Sequence, residues 1–295
     1  MTNYIDIIGS QMDLGAVRKG VDMGPSAIRH AGLIDKIRKI GYTVTDKGDI
    51  VPDVAESPGD PRMRYAKEIF SANKQLFERV KNSLENGHFP LILGGDHSIA
   101  AGSVSAAAEH YGNIGILWID AHGDFNDEKI TPTGNIHGMP LSAVCGLGPD
   151  SMVSFSSKRT DPRKVVIIGA RDIDPDEKIK LRENGVTVFS ISDIHTMGMY
   201  EIMVEALQIA SDGTVGIHVS LDMDAIDPEY APGTGTPVPN GLTLRETYLA
   251  IELIRKSGRM LSMDVVEVNP LLDIRNKTGM LASDLIQTAL GSTEY

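Results

Sequence analysis

The sequence predicts an α/β fold in which a parallel sheet carries helices on both faces. Three observations lead there. Short apolar runs alternate with longer amphipathic stretches over almost the whole chain. Most of the runs are apolar throughout, not only at every second position, as strands buried on both faces must be. The spacing between runs leaves room for the helical crossovers that parallel neighbours require.

Taken in order, YIDIIGS (4–10) opens the series of strands, and SAIRHAGLIDKIRKIG (26–41) reads as a helix stopped by Gly41. YTVTDKGDI (42–50) is a weaker strand candidate, and the segment 64–87 is a long helix stopped by Gly87. Strands follow at FPLILGG (89–95), NIGILWID (113–120), RKVVIIGA (163–170), VTVFSIS (186–192) and VGIHVSLD (215–222). TLRETYLAIELIRKSG (243–258) is a helix with a Thr243/Glu246 capping-box pattern, and RMLSMDVVEV (259–268) is the last strand. No linker or shift of composition divides the chain, so one domain over 1–295 is expected. Gly and Pro gather in three loops, 15–25, 131–140 and 227–241. Long loops in compact α/β domains tend to be functional, and ligands bind at the carboxyl ends of parallel strands.

The bulk properties narrow the partners. With 295 residues, 41% of them hydrophobic, the chain can build a large core. Its 28 Lys+Arg against 40 Asp+Glu give a net charge of -12 with no basic run, which argues against nucleic acid or an anionic membrane surface and favours a cationic ligand. The N-terminus lacks the pattern of a secretion signal, and no apolar run reaches the length of about 18 residues needed to span a bilayer. A cytoplasmic protein is expected. The single Cys145 has no internal partner and no neighbouring base, so it reads as a small buried apolar residue.

Four strands end in acids or histidine. LILGG runs into Asp96 and His97, GILWI into Asp120, His122 and Asp124, GIHVSL into Asp222, Asp224 and Asp227, and LSMDVV into Glu267. Any one of these is a common turn or cap. Four at the same edge of one sheet are hard to explain by capping alone. If the backbone stays extended past Ile119, then Asp120, His122 and Asp124 point the same way. Crowded buried carboxylates cannot all stay ionised without a counter-charge. Asp120, Asp124, Asp222 and Asp224 would be balanced by two divalent cations, with His97 and His122 as neutral ligands; such donors suit manganese, iron, zinc or nickel better than calcium. Two ions about 3.5–4 Å apart lower the pKa of a shared water, and the chemistry implied is hydrolysis.

Five blocks, GGDHS (94–98), DAHGDFN (120–126), GNIHGMP (134–140), SLDMDAIDP (220–228) and VEVNP (266–270), together resemble the arginases of the ureohydrolase family. The resemblance runs from DLGAVRKGVDMGPSAIR to the last strand. It implies a three-layer α/β/α domain with a mainly parallel, eight-stranded sheet, two Mn²⁺ per subunit, and conversion of L-arginine and water to L-ornithine and urea. It further implies that His97, Asp120, Asp124 and Asp222 hold one manganese and His122, Asp120, Asp222 and Asp224 the other. In that scheme a hydroxide shared by the ions attacks the guanidinium carbon, Asp124 steadies the tetrahedral intermediate, Glu267 aims the guanidinium, and His137 shuttles protons. Asn126, Thr131 and Thr133 match positions around the substrate α-carboxylate, Asp174 and Glu177 positions near the α-ammonium, and Thr236 a further pocket hydroxyl. Many relatives have Ser where Thr133 stands. Asp127 and Glu128 place two acids beside the carboxylate position. A homotrimer or homohexamer is also implied.

Two rivals differ in what they lack. An agmatinase or other guanidino hydrolase shares the ligands and Glu267 but has no substrate carboxylate for Asn126 and Thr133. A metal-stabilised protein that binds a cationic metabolite without turnover would not need Glu267 and His137 as well. His30, His88, His110, His195 and His218 match no site motif and read as surface or packing residues, and Asp227 before Pro228 reads as a turn former.

Overall fold

A computed structural model of the chain describes residues 2–291. Its eight strands are β1 (Tyr4–Ser10), β2 (Thr43–Ile50), β3 (Phe89–Leu93), β4 (Gly115–Ile119), β5 (Val165–Ala170), β6 (Thr187–Ser190), β7 (Ile217–Asp222) and β8 (Met260–Val266). All pair in parallel, in one sheet of order β2-β1-β3-β8-β7-β4-β5-β6. The weak strand candidate is therefore real, as edge strand β2, where exposure of one side accounts for its polar sequence.

Helices cover both faces. In chain order they are α1 (Gly24–His30), α2 (Leu33–Lys39), α3 (Ala66–Glu85), α4 (Ala100–Tyr111), α5 (Pro140–Val144), α6 (Asp150–Val153), α7 (Pro175–Glu183), α8 (Ile191–Met197), α9 (Met199–Ser211), α10 (Leu244–Ser257) and α11 (Lys277–Leu290). Strand residues divide cleanly between the two layers. Leu117, Ile119, Val166, Ile168, Val219 and Val265 pack with α1, α2 and α8 to α11, while Ile116, Trp118, Val165, Ile167 and Val266 pack with α3, α4 and α5. The result is the expected three-layer arrangement.

One helix expectation needs correction. The segment 26–41 forms two helices, because Gly32 takes φ 80° and ends α1 before Leu33 starts α2. A left-handed residue suits glycine and terminates a helix that the apolar spacing alone would carry through. The capping box at α10 is present, with the Glu246 N–H donating to Thr243 and the Glu246 carboxylate accepting from the Thr243 N–H.

The four strands whose ends carry acids or histidine, β3, β8, β7 and β4, are neighbours at the centre of the sheet. β8, last in sequence, lies between β3 and β7.

Candidate metal centre

Each ligand side chain is aimed by a local backbone device. After β3, Asp96 caps the turn that carries His97, accepting from Ser98 N at 3.0 Å and from Gly15 N at 2.7 Å. The His97 N–H in turn donates to Glu267 Oε1 at 2.9 Å, tying β3 to β8. After β7, Asp222 Oδ1 accepts from Asp224 N at 2.7 Å and turns the chain so that both carboxylates face the same cleft. After β4 the backbone does not stay extended, as the alternate-position argument assumed. Asp120 Oδ1 accepts from His122 N at 2.7 Å in a tight turn, and Asp124 follows with φ 48°. Glu267 also has a left-handed φ, 64°. Non-glycine residues held there cost on the order of 1 kcal/mol each and concentrate at functional positions.

These devices bring six predicted ligands together. His97 Nδ1 lies 3.1 Å from each of three oxygens, Asp120 Oδ2, Asp124 Oδ2 and Asp222 Oδ2. His122 Nδ1 lies 3.3 Å from Asp120 Oδ1 and from Asp224 Oδ2. Two sets result, His97/Asp120/Asp222 and Asp120/His122/Asp224, with Asp120 common to both. Asp124 joins the first through His97. Asp222 falls in the first set only, so the second bridge expected of it is not among these close donors.

The donors fit a cation. Ligands about 2.0–2.2 Å from one ion in adjacent coordination positions lie about 3 Å apart. His97 Nδ1 and Asp124 Oδ2 are buried without a hydrogen-bond partner although they are that close. Electrostatics points the same way. Burial, then Asp224 and Asp120, pushes Asp222 well above the usual carboxylate range, and burial and Asp120 push Asp124 up to about 6. Burial opposes a charge on His97, yet the nearby carboxylates of Asp120, Asp124 and Asp222 raise it well above an ordinary imidazole. The cluster needs positive charge, and protons on His97 and His122 can be exchanged for metal.

Around the ligands the chain holds them rigidly. The Trp118 indole N–H donates to Asp120 Oδ2 at 2.9 Å, and its ring stacks on His97 with centroids 4.0 Å apart. His97 Nε2 is 2.8 Å from Ser220 Oγ, which leaves Nδ1 for the cleft. Thr236 Oγ1 donates to Asp224 Oδ2 at 2.9 Å. Arg171 donates to the carbonyls of Gly169, Asp224, Ala225, Val238 and Pro239, locking the loops that carry Asp224 and Thr236.

Above the ligands opens a cavity of about 220 Å³. His97, His122, Asp124, Asp222 and Asp224 form its floor; Asn126, Thr131, Thr133, His137, Asp174, Glu177 and Thr236 line its walls. Asp120 lies buried below, and Glu267 lies behind His137, whose Nδ1 is 3.3 Å from Glu267 Oε1. Burial opposes protonation of His137, and the Glu267 carboxylate overrides it, raising the imidazole to about 9. Asp174 and Glu177 share a capping box at the start of α7. Glu177 also accepts from Phe125 N at 2.7 Å, and burial pushes its carboxyl up to about 8. Asn126 Nδ2 donates to Asp174 Oδ2 at 3.2 Å. Asp127 is neutralised by Lys180 Nζ at 2.6 Å, so that acid is already paired beside the wall. Asp227 accepts from Glu229 N and Gly241 N, a turn former as expected.

Trp118, Ser220 and Arg171 were not singled out from the sequence. Ser220 was within reach, two residues before Asp222 on one face of a strand, as was Trp118 before Asp120. Arg171 acts on carbonyls from distant loops and leaves no local signal.

Fold and site together define an α/β protein with a buried His/Asp cluster, able to hold metal, at the carboxyl edge of a parallel sheet. A family model described as Arginase family matches residues 3–291, and the chain belongs to the arginase family. It is 44% identical over 293 residues to an arginase of Bacillus subtilis (strain 168), covering 99% of each chain. The solved arginase of Bacillus caldovelox superposes with a TM-score of 0.95 at 42% identity, covering 99% of each chain. An Entamoeba histolytica arginase solved in complex with L-ornithine superposes with a TM-score of 0.92 at 29% identity, covering 98% of this chain and 99% of that one.

Proposed function

We propose that this chain hydrolyses L-arginine to L-ornithine and urea at a centre of two Mn²⁺ per subunit. The observation that carries the reading is Asp120, one carboxylate shared by two His/Asp sets beneath a cavity walled by Asn126, Thr131, Thr133, Asp174 and Glu177. His97, Asp120, Asp124 and Asp222 would hold one ion, and His122, Asp120, Asp222 and Asp224 the other. Divalent ions bound there supply Lewis acidity and lower the pKa of a water to about 7.

The protein's own groups do the rest. Glu267 Oε1 is anchored by the His97 N–H, while Oε2 is buried with no hydrogen-bond partner, an acceptor for the substrate guanidinium. Asp124, at the cavity beside His97, would accept a hydrogen bond and then the proton from the attacking oxygen as the tetrahedral centre forms. His137, at the cavity wall, carries protons between the site and solvent. Asn126, Thr131 and Thr133 receive the α-carboxylate, Asp174 and Glu177 the α-ammonium, and Thr236 fixes Asp224. Asn126 Oδ1 is buried with no hydrogen-bond partner, so its amide can turn to serve the ligand. The Entamoeba histolytica relative binds L-ornithine, the product this pocket would release.

The reading extends to the whole chain as one arginase-like domain, to a cytoplasmic location, and to a homotrimer or homohexamer. No described helix is long and apolar enough to cross a membrane.

Urea release from metal-stripped protein, with L-arginine and agmatine in parallel before and after Mn²⁺, tests the proposal. Urea from L-arginine only with Mn²⁺ supports it. Urea from agmatine instead would keep the hydrolysis and discard the pocket assignment. Binding without product would make the chain a metal-stabilised binding protein.

A further inference from the structure

The loop that carries Thr131 and Thr133 is held from two sides. On the inner side, Lys180 of α7 donates to Asp127 Oδ2 at 2.6 Å and to the Leu147 carbonyl at 2.9 Å. On the outer side, Arg62 Nη1 donates to the carbonyls of Glu128 at 3.0 Å and Lys129 at 2.7 Å. Two residues on, the Arg64 N–H donates to the Gly134 carbonyl at 3.1 Å. Gly134 has φ 72°, and a Cβ there would run into the Pro61 carbonyl, so the two segments meet backbone to backbone.

The outer segment is itself preformed. Asp60 Oδ1 accepts from Arg62 N at 2.8 Å, Met63 N donates to the Asp60 carbonyl at 3.0 Å, and Tyr65 N to the Pro58 carbonyl at 2.7 Å. Arg62 thus projects from a fixed turn onto two carbonyls that would otherwise face water, and it touches no metal ligand in doing so.

We propose that Arg62 is a positioning residue that sets affinity for the amino-acid end of the substrate by clamping the loop 127–134. The inference rests on the arginase reading, in which Thr131 and Thr133 receive the α-carboxylate. Without the clamp the two hydroxyls must be ordered at the moment of binding, and that entropy is subtracted from affinity. The metal ligands and Glu267 are fixed at the ends of β3, β4, β7 and β8 and do not depend on it. Arg62 is exposed, so its truncation leaves the core intact.

The test is Arg62→Ala in the Mn²⁺-loaded enzyme. KM for L-arginine and the calorimetric Kd for L-ornithine should each rise about tenfold, with kcat and the calorimetric affinity for Mn²⁺ changed by less than about twofold. Arg62→Lys should recover part of the loss. An unchanged KM and Kd, or a fall in kcat alone, overturns the clamp. Thr133→Ala, measured alongside, separates the two levels. If it raises KM and Arg62→Ala does not, the clamp alone fails. If neither moves KM or Kd, the loop is not the carboxylate end, and both readings fall. If only Arg62→Ala does, Arg62 acts by another route and the clamp is overturned. The ornithine Kd reads the clamp even where no urea is released.

Discussion

The indole N–H of Trp118 donates to Asp120 Oδ2 across 2.9 Å, two positions apart at the end of one strand. The carboxylate shared by both donor sets is thereby fixed by a neighbour that faces the same layer of the core. Trp118→Phe keeps the apolar bulk and removes the donor. Its Mn²⁺ affinity should fall about tenfold or more, with the unfolding midpoint of the metal-free protein little changed. Equal metal affinity, by calorimetry, would show that Asp120 is held by its turn alone.

Asp124→Asn preserves the shape and tolerates the left-handed backbone at this position, since Asn visits that region readily. Turnover should nevertheless drop by about a hundredfold or more through loss of a ligand and of the acceptor beside the reacting carbon. Near-normal urea release would remove Asp124 from the mechanism.

His137→Asn should slow turnover while metal content, read by elemental analysis, stays intact. Loss of metal would mean that His137 is a ligand and not a proton carrier.

Deep in the α3/α4 layer, Asp264 Oδ2 accepts from Ser103 Oγ at 2.7 Å and lies 3.2 Å from His218 Nε2, all fully buried. Asp264→Ala leaves the buried Ser103 hydroxyl without its acceptor and should cost about 1–3 kcal/mol in chemical denaturation. Glu252→Ala, at the exposed Lys256 pair, should cost no more than about 1 kcal/mol. Similar costs for the two would show that the buried cluster adds nothing beyond a surface pair.

Cys145 is buried, and burial pushes its thiol far above the range of a free cysteine. A thiol reagent should therefore react with the native protein only at the rate of unfolding, and stoichiometrically in denaturant. Rapid labelling of folded protein would contradict this placement.

What the sequence disclosed and what it withheld follow from the range of the forces involved. Strands such as RKVVIIGA are legible because burial on both faces demands an unbroken apolar run, and the clustering of Asp120, His122, Asp222 and Asp224 is legible because each follows a strand directly. The split at Gly32 was not, since apolar spacing continues across it and only a positive φ ends the first helix. Nor was the turn at Asp120, where the side chain bonds to its own backbone two residues on and replaces the extended geometry assumed. The grips of Arg171 and Arg62 on distant carbonyls depend on contacts between loops far apart in sequence, which no local pattern encodes.

The place of β8 has a consequence for biosynthesis. A nascent chain that has left the ribosome through residue 258 already contains every histidine and aspartate of the two donor sets, but not the strand that lies between β3 and β7. His97 follows the first of these strands and Asp222 ends the second, so their meeting awaits the synthesis of β8. A polypeptide stopped before β8 would carry both halves of the donor cluster without the strand that spaces them.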